Sequence, residues 1–275
     1  PESSEYFLIE VNPRVSRSSA LASKASGYPI ARVTAKIALG MELTEIPVAG
    51  GSAATEPSLD YIVAKFPRFP FDKFADAKDI LGTQMKATGE VMGIGSTLEE
   101  CLLKSVRSLE TGACHFHLAK FDGMVTDDLL EYIKEFRSDT IFAVFELLRR
   151  EVTVSRLHEI TMITELFLES FKRIVSAERK IAGAKGDINT LREAKKLGFS
   201  DRYIASAWGV KETEVYKMRR EADIVPVFRM VDTLHTGKYI AYLYSSYSGK
   251  NDSRLSDKKK IVVLGAGPIR RGQGV

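Results

Sequence analysis

Near the start of the chain, Glu10-Val11-Asn12-Pro13-Arg14-Val15-Ser16-Arg17 stands between a short apolar run, residues 6–9, and a segment rich in serine and alanine. In an extended strand, residues two apart project from the same face. Glu10 and Asn12 would therefore lie side by side as oxygen ligands, which suit a hard cation such as Mg²⁺. Arg14 and Arg17 add positive charge where a phosphate or a carboxylate could be held. The stretch predicts one wall of a phosphoryl-transfer site.

The same stretch has a plainer interpretation as a solvated edge strand with ordinary surface charge, and a motif this short does not exclude that on its own. Its position favours chemistry, because sites in α/β proteins collect their ligands at the end of a strand, where the next helix begins. Glu10 and Asn12 are therefore candidate metal ligands, and Arg14 and Arg17 are candidate anion-binding residues.

Size and composition are those of an ordinary globular chain. With 275 residues, the usual domain size predicts one to three domains, and two is the central expectation. The 40 basic and 36 acidic residues nearly balance, so the net charge of +4 gives no reason to predict nucleic acid or an anionic membrane as a partner. Cys101 and Cys114 are too few for a disulfide framework, which is typical of a reducing compartment. Without an apolar run of about 20 residues or a signal peptide, we expect a cytoplasmic chain.

Hydrophobic periodicity and turn residues predict an α+β N-terminal part, then a mainly α-helical domain, then one strand and loop of the βα type at the C-terminus. The predicted strands are residues 6–11, 61–66, 85–94, 239–244 and 261–264. One predicted helix begins near Ser18 and ends at Gly27, and another begins at a capping box of Thr97 and Glu100 and reaches about residue 109. The other predicted helices are residues 30–39, 128–136, 140–150, 163–181 and 188–197. We expect a short turn near residues 154–158 and a linker at residues 248–259.

A glycine-rich loop follows the last predicted strand. A dinucleotide fingerprint would need glycine where Arg270 stands. We therefore expect the loop to serve a tight strand-to-helix connection, with Arg270 and Arg271 reaching an anionic substrate. A loop that cradles phosphate also needs the helix after it. Since the chain starts without methionine and stops where that helix should begin, we expect it to be a piece of a longer protein.

Residues 202–220 space their apolar side chains and Gly209 as a helix-turn-helix does. Glu212 and Glu214 would face phosphates near the start of the recognition helix, which disfavours DNA binding. The same pattern suits two short helices that pack at a steep angle.

Cys114-His115-Phe116-His117 offers adjacent metal ligands, but structural zinc sites use two separated pairs, so we expect a loop with incidental soft residues. His158 and His235 are isolated and receive no role. The helices of residues 126–222 carry apolar stripes without a nucleophile–base pair, which predicts an interaction and spacing module.

With these motifs in place, the chain resembles the central part of the large chain of carbamoyl-phosphate synthetase. The stretches that carry the resemblance are residues 9–24, which include the opening motif, and residues 56–61, 83–86, 89–95 and 264–268. They keep the family's order across nearly the whole chain. The first stretch is long and specific, whereas the helical middle is a looser match.

The resemblance implies three parts. Residues 1–110 are similar to the C-terminal portion of the ATP-grasp unit that makes carboxyphosphate. Residues 111–257 are similar to the helical oligomerisation domain. Residues 258–275 are similar to the first strand and glycine loop of the second synthetase unit, which phosphorylates carbamate.

The resemblance also implies roles for single residues. By motif position, Glu10 and Asn12 match the ligands of the Mg²⁺ or Mn²⁺ ions that bridge the ATP phosphates. Arg14 and Arg17 match the arginines beside carboxyphosphate. Glu90 matches a glutamate that the family places along an internal carbamate tunnel.

The implied parent is an ATP-dependent carbon–nitrogen ligase. It would make carbamoyl phosphate from bicarbonate, ammonia from glutamine and two molecules of ATP, for pyrimidine and arginine biosynthesis. Its expected partners are a glutamine amidotransferase small chain and further copies of itself, without nucleic acid or membrane. The residues that grip ATP would precede residue 1, so we expect this chain alone to be inactive and to bind Mg-ATP weakly or not at all. The alternative is a stand-alone helical protein-interaction module without catalysis.

Overall fold

The structure, a computed structural model, describes Tyr6, Leu8, Val11, residues 14–49 and 51–71, Phe74, and residues 76–235, 237–265 and 269–270. Its helices are α1 Arg17–Ser26, α2 Ile30–Ala38, α3 Leu98–Ser108, α4 Thr126–Tyr132, α5 Thr140–Arg149, α6 Val154–Thr161, α7 Glu165–Gly183, α8 Ile188–Lys196, α9 Asp201–Trp208 and α10 Glu212–Glu221. Its strands are β1 Pro47–Val48, β2 Gly51–Ser52, β3 Ile62–Arg68, β4 Gly89–Gly95, β5 Val227–Met230, β6 Leu243–Ser246 and β7 Ile269–Arg270.

The chain forms two compact units, one of residues 1–60 and 230–243 and one of residues 61–229 and 244–275. Small sheets occupy the N-terminal part and helices fill the middle, so the predicted fold class is confirmed. Among the helices of the described residues, none has the length and apolar character needed to cross a bilayer.

Serine side chains set the start of α1 in the smaller unit. The backbone N–H of Ser19 donates to the Ser16 hydroxyl over 3.3 Å, and the N–H of Ser16 donates to the Ser19 hydroxyl over 3.2 Å. These reciprocal bonds satisfy N–H groups that a first helical turn leaves without an acceptor. The helix therefore begins at Arg17, before the predicted start near Ser18. It ends at Gly27 as predicted, where φ is 66° and glycine avoids strain.

A small apolar core holds this unit together. Val33 of α2 packs with Ile46, Val48 and Ala53 around the hairpin of β1 and β2. The Tyr28 hydroxyl donates to the Ala53 carbonyl over 2.7 Å, just before α2 begins. Side-chain packing and this hydrogen bond together fix α2 against the hairpin.

The predicted strand at residues 6–11 does not form in the part of it that the structure describes. Tyr6, Leu8 and Val11 have no regular secondary structure and exposed side chains. A strand needs a neighbour to satisfy its backbone groups, and the ladders of the described residues include none at this segment. The other residues of the segment lie outside the described residues.

A three-stranded antiparallel sheet in the order β3-β4-β7 begins the larger unit. β3 pairs with β4 along its whole length, and β4 pairs with β7 at Glu90↔Ile269. The predicted strand at residues 61–66 is confirmed and continues through Pro67. A proline is tolerated there because β3 lies at the edge of the sheet, where one N–H need not donate to a neighbour. β4 begins at Gly89, later than the predicted start at residue 85.

Helix α3 packs closely on β4. A Cβ atom on Gly93 would clash with the carbonyl oxygen of Cys101 and lie 2.5 Å from the hydroxyl oxygen of Ser105. Glycine is therefore the residue that lets the helix come this near. From the helix, the Cys101 thiol donates to the Ile62 carbonyl of β3 over 2.8 Å, which ties α3 to the sheet edge as well.

The predicted capping box at the start of α3 is half right. The N–H of Glu100 donates to the Thr97 hydroxyl over 3.2 Å, as predicted. The Glu100 carboxylate accepts instead from the N–H of Ser96 over 2.8 Å and pairs with Lys104 at 2.7 Å. The nearby ammonium group one turn along the helix thus holds the carboxylate in its observed position.

The helices from α3 to α10 share one apolar core. The Phe116 and Phe145 rings stack near its centre, with centroids 4.3 Å apart. The largest fully buried side chains of this core are Phe116, Phe121, Phe145, Phe199, Leu103, Leu129, Ile133, Leu147, Leu157, Leu168 and Ile174.

Most predicted helices of this region are confirmed, with shifted ends. α5 and α8 match the predicted segments closely, while α4 ends at Tyr132 and α7 extends to Gly183. The short turn expected near residues 154–158 is instead the helix α6. It is stabilised at its start by Thr153, whose hydroxyl accepts from the Arg156 N–H over 3.2 Å.

The two strands predicted in the C-terminal part differ from the structure. The strand expected at residues 239–244 is displaced to β6, which pairs with β5. The strand expected at residues 261–264 is wrong: these residues have no regular structure and their side chains are each more than 80% exposed. An apolar run becomes a strand where a neighbouring strand supplies hydrogen bonds and a face to bury, and no ladder of the described residues includes this run.

Residues 248–259 contain neither helix nor strand, as predicted for a linker. Arg270 lies in β7. Residues 266–268 of the predicted glycine loop and Arg271 lie outside the described residues.

We predict that Gly93→Ala lowers the free energy of unfolding by about 1–3 kcal/mol, because the added methyl group must push α3 away from β4. Urea unfolding followed by circular dichroism measures the change. Gly123→Ala is the matched control: a Cβ there meets no atom within 4 Å, so the change should stay within about 0.5 kcal/mol. Equal stability of the two variants would contradict the close contact.

Candidate functional site

The N-terminal site predicted from the sequence is described in part. Glu10 and Asn12, the candidate metal ligands, lie outside the described residues. Arg14 is exposed and stands in a bend just before α1. Arg17 is the first residue of that helix. The structure thus places both candidate anion-binding arginines at one end of one helix, and their role stays a prediction.

The N-terminus of α1 favours an anion on electrostatic grounds. Aligned backbone dipoles give a helix N-terminus a partial positive charge, which Asp or Glu in the first turn usually offsets. α1 has no acidic residue in its first turn. Arg14, exposed just before the helix, instead brings further positive charge near this end. A bound oxyanion would supply the compensation that the helix's own side chains do not.

Glu90 lies in β4, the middle strand of the three-stranded sheet. It is 8% exposed, and its Oε2 lies 2.7 Å from the Lys65 ammonium of β3. Its Oε1 has no hydrogen-bond partner among the described residues. Leaving a buried polar atom unsatisfied costs about 1–3 kcal/mol. Its assignment to a tunnel stays a prediction.

A buried carboxylate that sequence reasoning missed links α3 to α7. Glu99 Oε1 accepts from the Ser170 hydroxyl over 3.0 Å and from Arg173 Nε over 2.6 Å. Burial by itself raises the pKa of Glu99, but a backbone hydrogen bond and the bonds from Arg173 and Ser170 outweigh it and hold the pKa below its ordinary value. No local signal could reveal this, because the partners lie far along the chain.

A second buried ion pair fixes α5 against α7. The Arg149 guanidinium donates to both carboxylate oxygens of Glu178, over 2.8 and 3.0 Å, and also to the Phe116 carbonyl over 2.7 Å. Burial raises the pKa of Glu178 and outweighs the opposing effect of Arg149. Both charged groups are engaged with protein partners, which is typical of a structural role.

In the segment from Cys114 to His117, the Cys114 Sγ lies 3.6 Å from His115 Nδ1, and the His115 and His117 rings stack with centroids 5.5 Å apart. His117 Nε2 lies 2.8 Å from Asp122 Oδ1, while the His115 ring packs on Tyr203 with centroids 4.5 Å apart. Burial, together with the nearby charges of Arg149 and His117, lowers the pKa of His115 to about 3. Its imidazole is therefore neutral at physiological pH. Within the described part of the chain, no group of three or more His, Cys, Asp or Glu residues could hold a metal ion.

The helix-turn-helix pattern corresponds to α9 and α10, with Gly209 at the turn at φ 61°. The Trp208 indole N–H donates to the Ile181 carbonyl over 2.7 Å inside the core. The Glu214 carboxylate accepts from the Lys211 N–H over 2.8 Å at the start of α10. The apolar spacing and this acidic residue thus serve packing and helix capping.

We predict that Glu99→Gln lowers the free energy of unfolding by about 1–3 kcal/mol at pH 7, because glutamine carries no negative charge to pair with the Arg173 guanidinium. The folded-state pKa of Glu99 is depressed. Its stabilisation is therefore fully present above the unfolded-state pKa and is lost as the pH falls through the folded-state pKa. The stability difference between wild type and variant should shrink below about pH 4, which chemical unfolding at a series of pH values measures.

Glu159→Gln is the matched control, since Glu159 is exposed and pairs with Arg156 over 3.1 Å. Exposed pairs contribute about 0–1 kcal/mol, so we expect little change at pH 7. A loss in Glu99→Gln that does not depend on pH would contradict the role of the carboxylate charge.

Two family models match the chain. Residues 90–223 match the carbamoyl-phosphate synthetase large chain, oligomerisation domain, and these residues include all helices from α3 to α10. Residues 1–46 match the carbamoyl-phosphate synthase L chain, ATP binding domain, and include α1 and α2. Both models describe parts of one enzyme chain, and together they cover well over half of the 275 residues. The resemblance noted in the sequence is thereby confirmed, and the chain belongs to the carbamoyl-phosphate synthetase large-chain family.

Proposed function

We propose that this chain is the central part of the large chain of a glutamine-hydrolysing carbamoyl-phosphate synthetase. The parent would be an ATP-dependent carbon–nitrogen ligase that combines bicarbonate, ammonia from glutamine and phosphoryl groups from two ATP molecules into carbamoyl phosphate. The observation that carries the proposal is the match of residues 1–46 to an ATP binding domain. That segment includes α1, whose N-terminus has no acidic residue and begins with Arg17.

In the proposed site, the donor set fits a hard divalent cation. A carboxylate at Glu10 and an amide oxygen at Asn12 are ligand types that Mg²⁺ and Mn²⁺ accept. When bound, such an ion neutralises charge on the ATP phosphates. Arg14 and Arg17 hold and orient the anion derived from bicarbonate, because guanidinium groups bind oxyanions with paired N–H donors.

We further propose Glu90 as a wall residue of an internal passage for carbamate. Its support is a buried oxygen without a partner among the described residues, next to an ion pair with Lys65. A carboxylate in such a wall can orient a polar intermediate, while the surrounding strands exclude the water that would destroy carboxyphosphate and carbamate.

The proposed domain boundaries are those that the family resemblance implies. Residues 1–110 contribute to the carboxyphosphate ATP-grasp domain, residues 111–257 form the oligomerisation domain, and residues 258–275 begin the carbamoyl-phosphate synthetic domain. By itself the chain is expected to be inactive and to bind Mg-ATP weakly or not at all; its match to the ATP binding domain covers residues 1–46. We place the parent in the cytoplasm, where it would supply pyrimidine and arginine biosynthesis.

Two partners belong to the proposal. A glutamine amidotransferase small chain would supply ammonia, and the helical part would bind further copies of the same chain. The match to an oligomerisation domain supports self-association. So do large apolar side chains exposed in this part of the chain, which are common in protein–protein contacts: Val125, Phe136, Met162, Leu166, Phe167 and Tyr216.

A stand-alone helical interaction module without catalysis is the second candidate. It is favoured by the position of the main apolar core, which lies in the helices from α3 to α10 and needs no ATP-binding residue to form. The two candidates differ in whether the motif at residues 10–17 matters for activity.

In a complete large chain that contains this sequence, we predict that Glu10→Ala lowers bicarbonate-dependent ATP hydrolysis by about two orders of magnitude. This is the usual effect of losing one group that stabilises charge in the transition state. Arg14→Ala should lower the same rate and raise the KM for bicarbonate. Phosphate release with and without bicarbonate measures both effects.

Arg32→Ala is the control for that experiment, because Arg32 is an exposed arginine of α2 outside the motif. Its hydrolysis rate should stay within about twofold of wild type. Unchanged hydrolysis in a folded Glu10→Ala variant would favour the interaction module. Micromolar ATP affinity of the 275-residue chain in calorimetry would contradict the expectation that it binds Mg-ATP weakly or not at all.

We also predict that the 275-residue chain self-associates through its helical part. Light scattering after size exclusion should give a mass that rises above one copy as the concentration increases over roughly 1–100 µM. The association should persist at about 1 M NaCl, because salt screens charges and leaves apolar contacts intact. A mass of one copy at every concentration would contradict the proposal.

A further inference from the structure

A polar cavity of ≈ 240 Å³ lies in the larger unit, between α3 and the turn that joins α8 to α9. Its lining includes Lys104 and Arg107 of α3, Lys195 of α8, Asp201 of α9, and Tyr247, which follows β6. The proposed synthetase site uses none of these residues. At about 30 Å³ per molecule of liquid water, the cavity has room for a small ligand.

Two cations share one carboxylate at the edge of the cavity: Lys195 and Asp201 line it, and Arg219 lies behind them. Asp201 accepts from Lys195 Nζ over 2.7 Å through one oxygen and from Arg219 Nε over 2.6 Å through the other. The single carboxylate of Asp201 thus compensates two cations. All three side chains are about one-tenth exposed, so solvent screens the excess charge weakly.

Arg107 adds a second excess positive charge. Its Nη1 donates to the Gly198 carbonyl over 2.7 Å, and no carboxylate of the described residues forms an ion pair with it. A guanidinium has five N–H donors, and the others meet no acceptor in the described part of the chain. Lys104, by contrast, is fully engaged: its ammonium pairs with Glu100 at 2.7 Å and donates to two carbonyls. Of these two cations, it is therefore Arg107 that has spare donors.

Tyr247 supplies a further donor and an aromatic wall. The Lys195 ammonium lies 4.7 Å from the centroid of its ring. Its hydroxyl forms no hydrogen bond within the described residues. Burial lowers the pKa of both Lys195 and Arg107, as expected where positive charge is incompletely compensated. A bound anion would complete the compensation.

We propose that this cavity binds a small oxyanion, a phosphate or carboxylate group, with Arg107 as the paired donor and the Tyr247 hydroxyl as a second contact. With Arg219 and the exposed Glu212 both counted, the cations at and beside the cavity exceed the carboxylates by one, which favours an anion. A planar guanidinium matches the oxygen geometry of either group. Glu212 also lines the cavity, but it is exposed, so water and salt screen its charge. The site is independent of the proposed synthetase activity.

Isothermal titration calorimetry of the 275-residue chain tests the site, with inorganic phosphate in one arm and malonate in the other. We expect saturable binding of one anion per chain in at least one arm. The tighter arm distinguishes a phosphate ligand from a carboxylate ligand. Arg107→Gln should weaken binding about tenfold or more. Arg156→Gln, which changes an arginine paired with Glu159 on the surface of α6, should leave binding unchanged.

Arg107→Gln loses its bond to the Gly198 carbonyl, and circular dichroism shows whether it still folds. If it does not fold, a second variant, Tyr247→Phe, tests the site. Tyr247→Phe keeps the ring against Lys195 and removes the hydroxyl alone, so it should fold and weaken binding about threefold. The proposal is overturned if neither anion binds saturably, or if every folded variant of Arg107 and Tyr247 binds as tightly as wild type.

Discussion

The larger unit depends on the close packing of α3 between the sheet and the helices. One face of α3 rests on β4, where Gly93 leaves room for the helix backbone. The other face places Leu103 at the centre of the helical core. Charged groups extend the same connection, because Glu99 binds α7 and Arg107 binds the turn between α8 and α9. Since interiors are packed without slack, a shift of this one helix would disturb strand, core and cavity together.

The distribution of charge separates groups that hold the fold from groups with binding capacity to spare. The Arg149–Glu178 pair is saturated by protein partners, which is what a buried charge needs in order to be tolerated. Glu90 and Arg107 differ, because each keeps polar atoms without partners among the described residues. At the start of α1, positive charge likewise accumulates without an acidic residue in the first turn. At each of these three places, the described residues leave a polar atom without a partner or a positive charge without full compensation.

Sequence reasoning predicted the helices better than the strands for a physical reason. The helix around Phe145 and the helix from Ile188 each satisfy their own backbone hydrogen bonds, so local periodicity locates them. Residues 261–264 are as apolar as any strand of the chain, but a strand exists only with a neighbour, which composition does not reveal. The predicted start of α1, near Ser18, lies one residue after the observed start at Arg17, because Ser16 and Ser19 cap the helix reciprocally and several nearby serines offered the same group.

By itself, the sequence determined the family, through the ordered motif at residues 10–17 and the stretches after it, and it determined the mainly helical middle. It also identified Arg14, Arg17 and Glu90 as candidate site residues, because a local motif and the resemblance to a family point to single residues. The tertiary structure alone decided which distant residues meet. Glu99 with Ser170, and Arg107 with Gly198, are separated by long stretches of chain, and burial in a shared core brings them together. Contacts of this kind depend on packing in three dimensions, which no periodicity along the chain encodes.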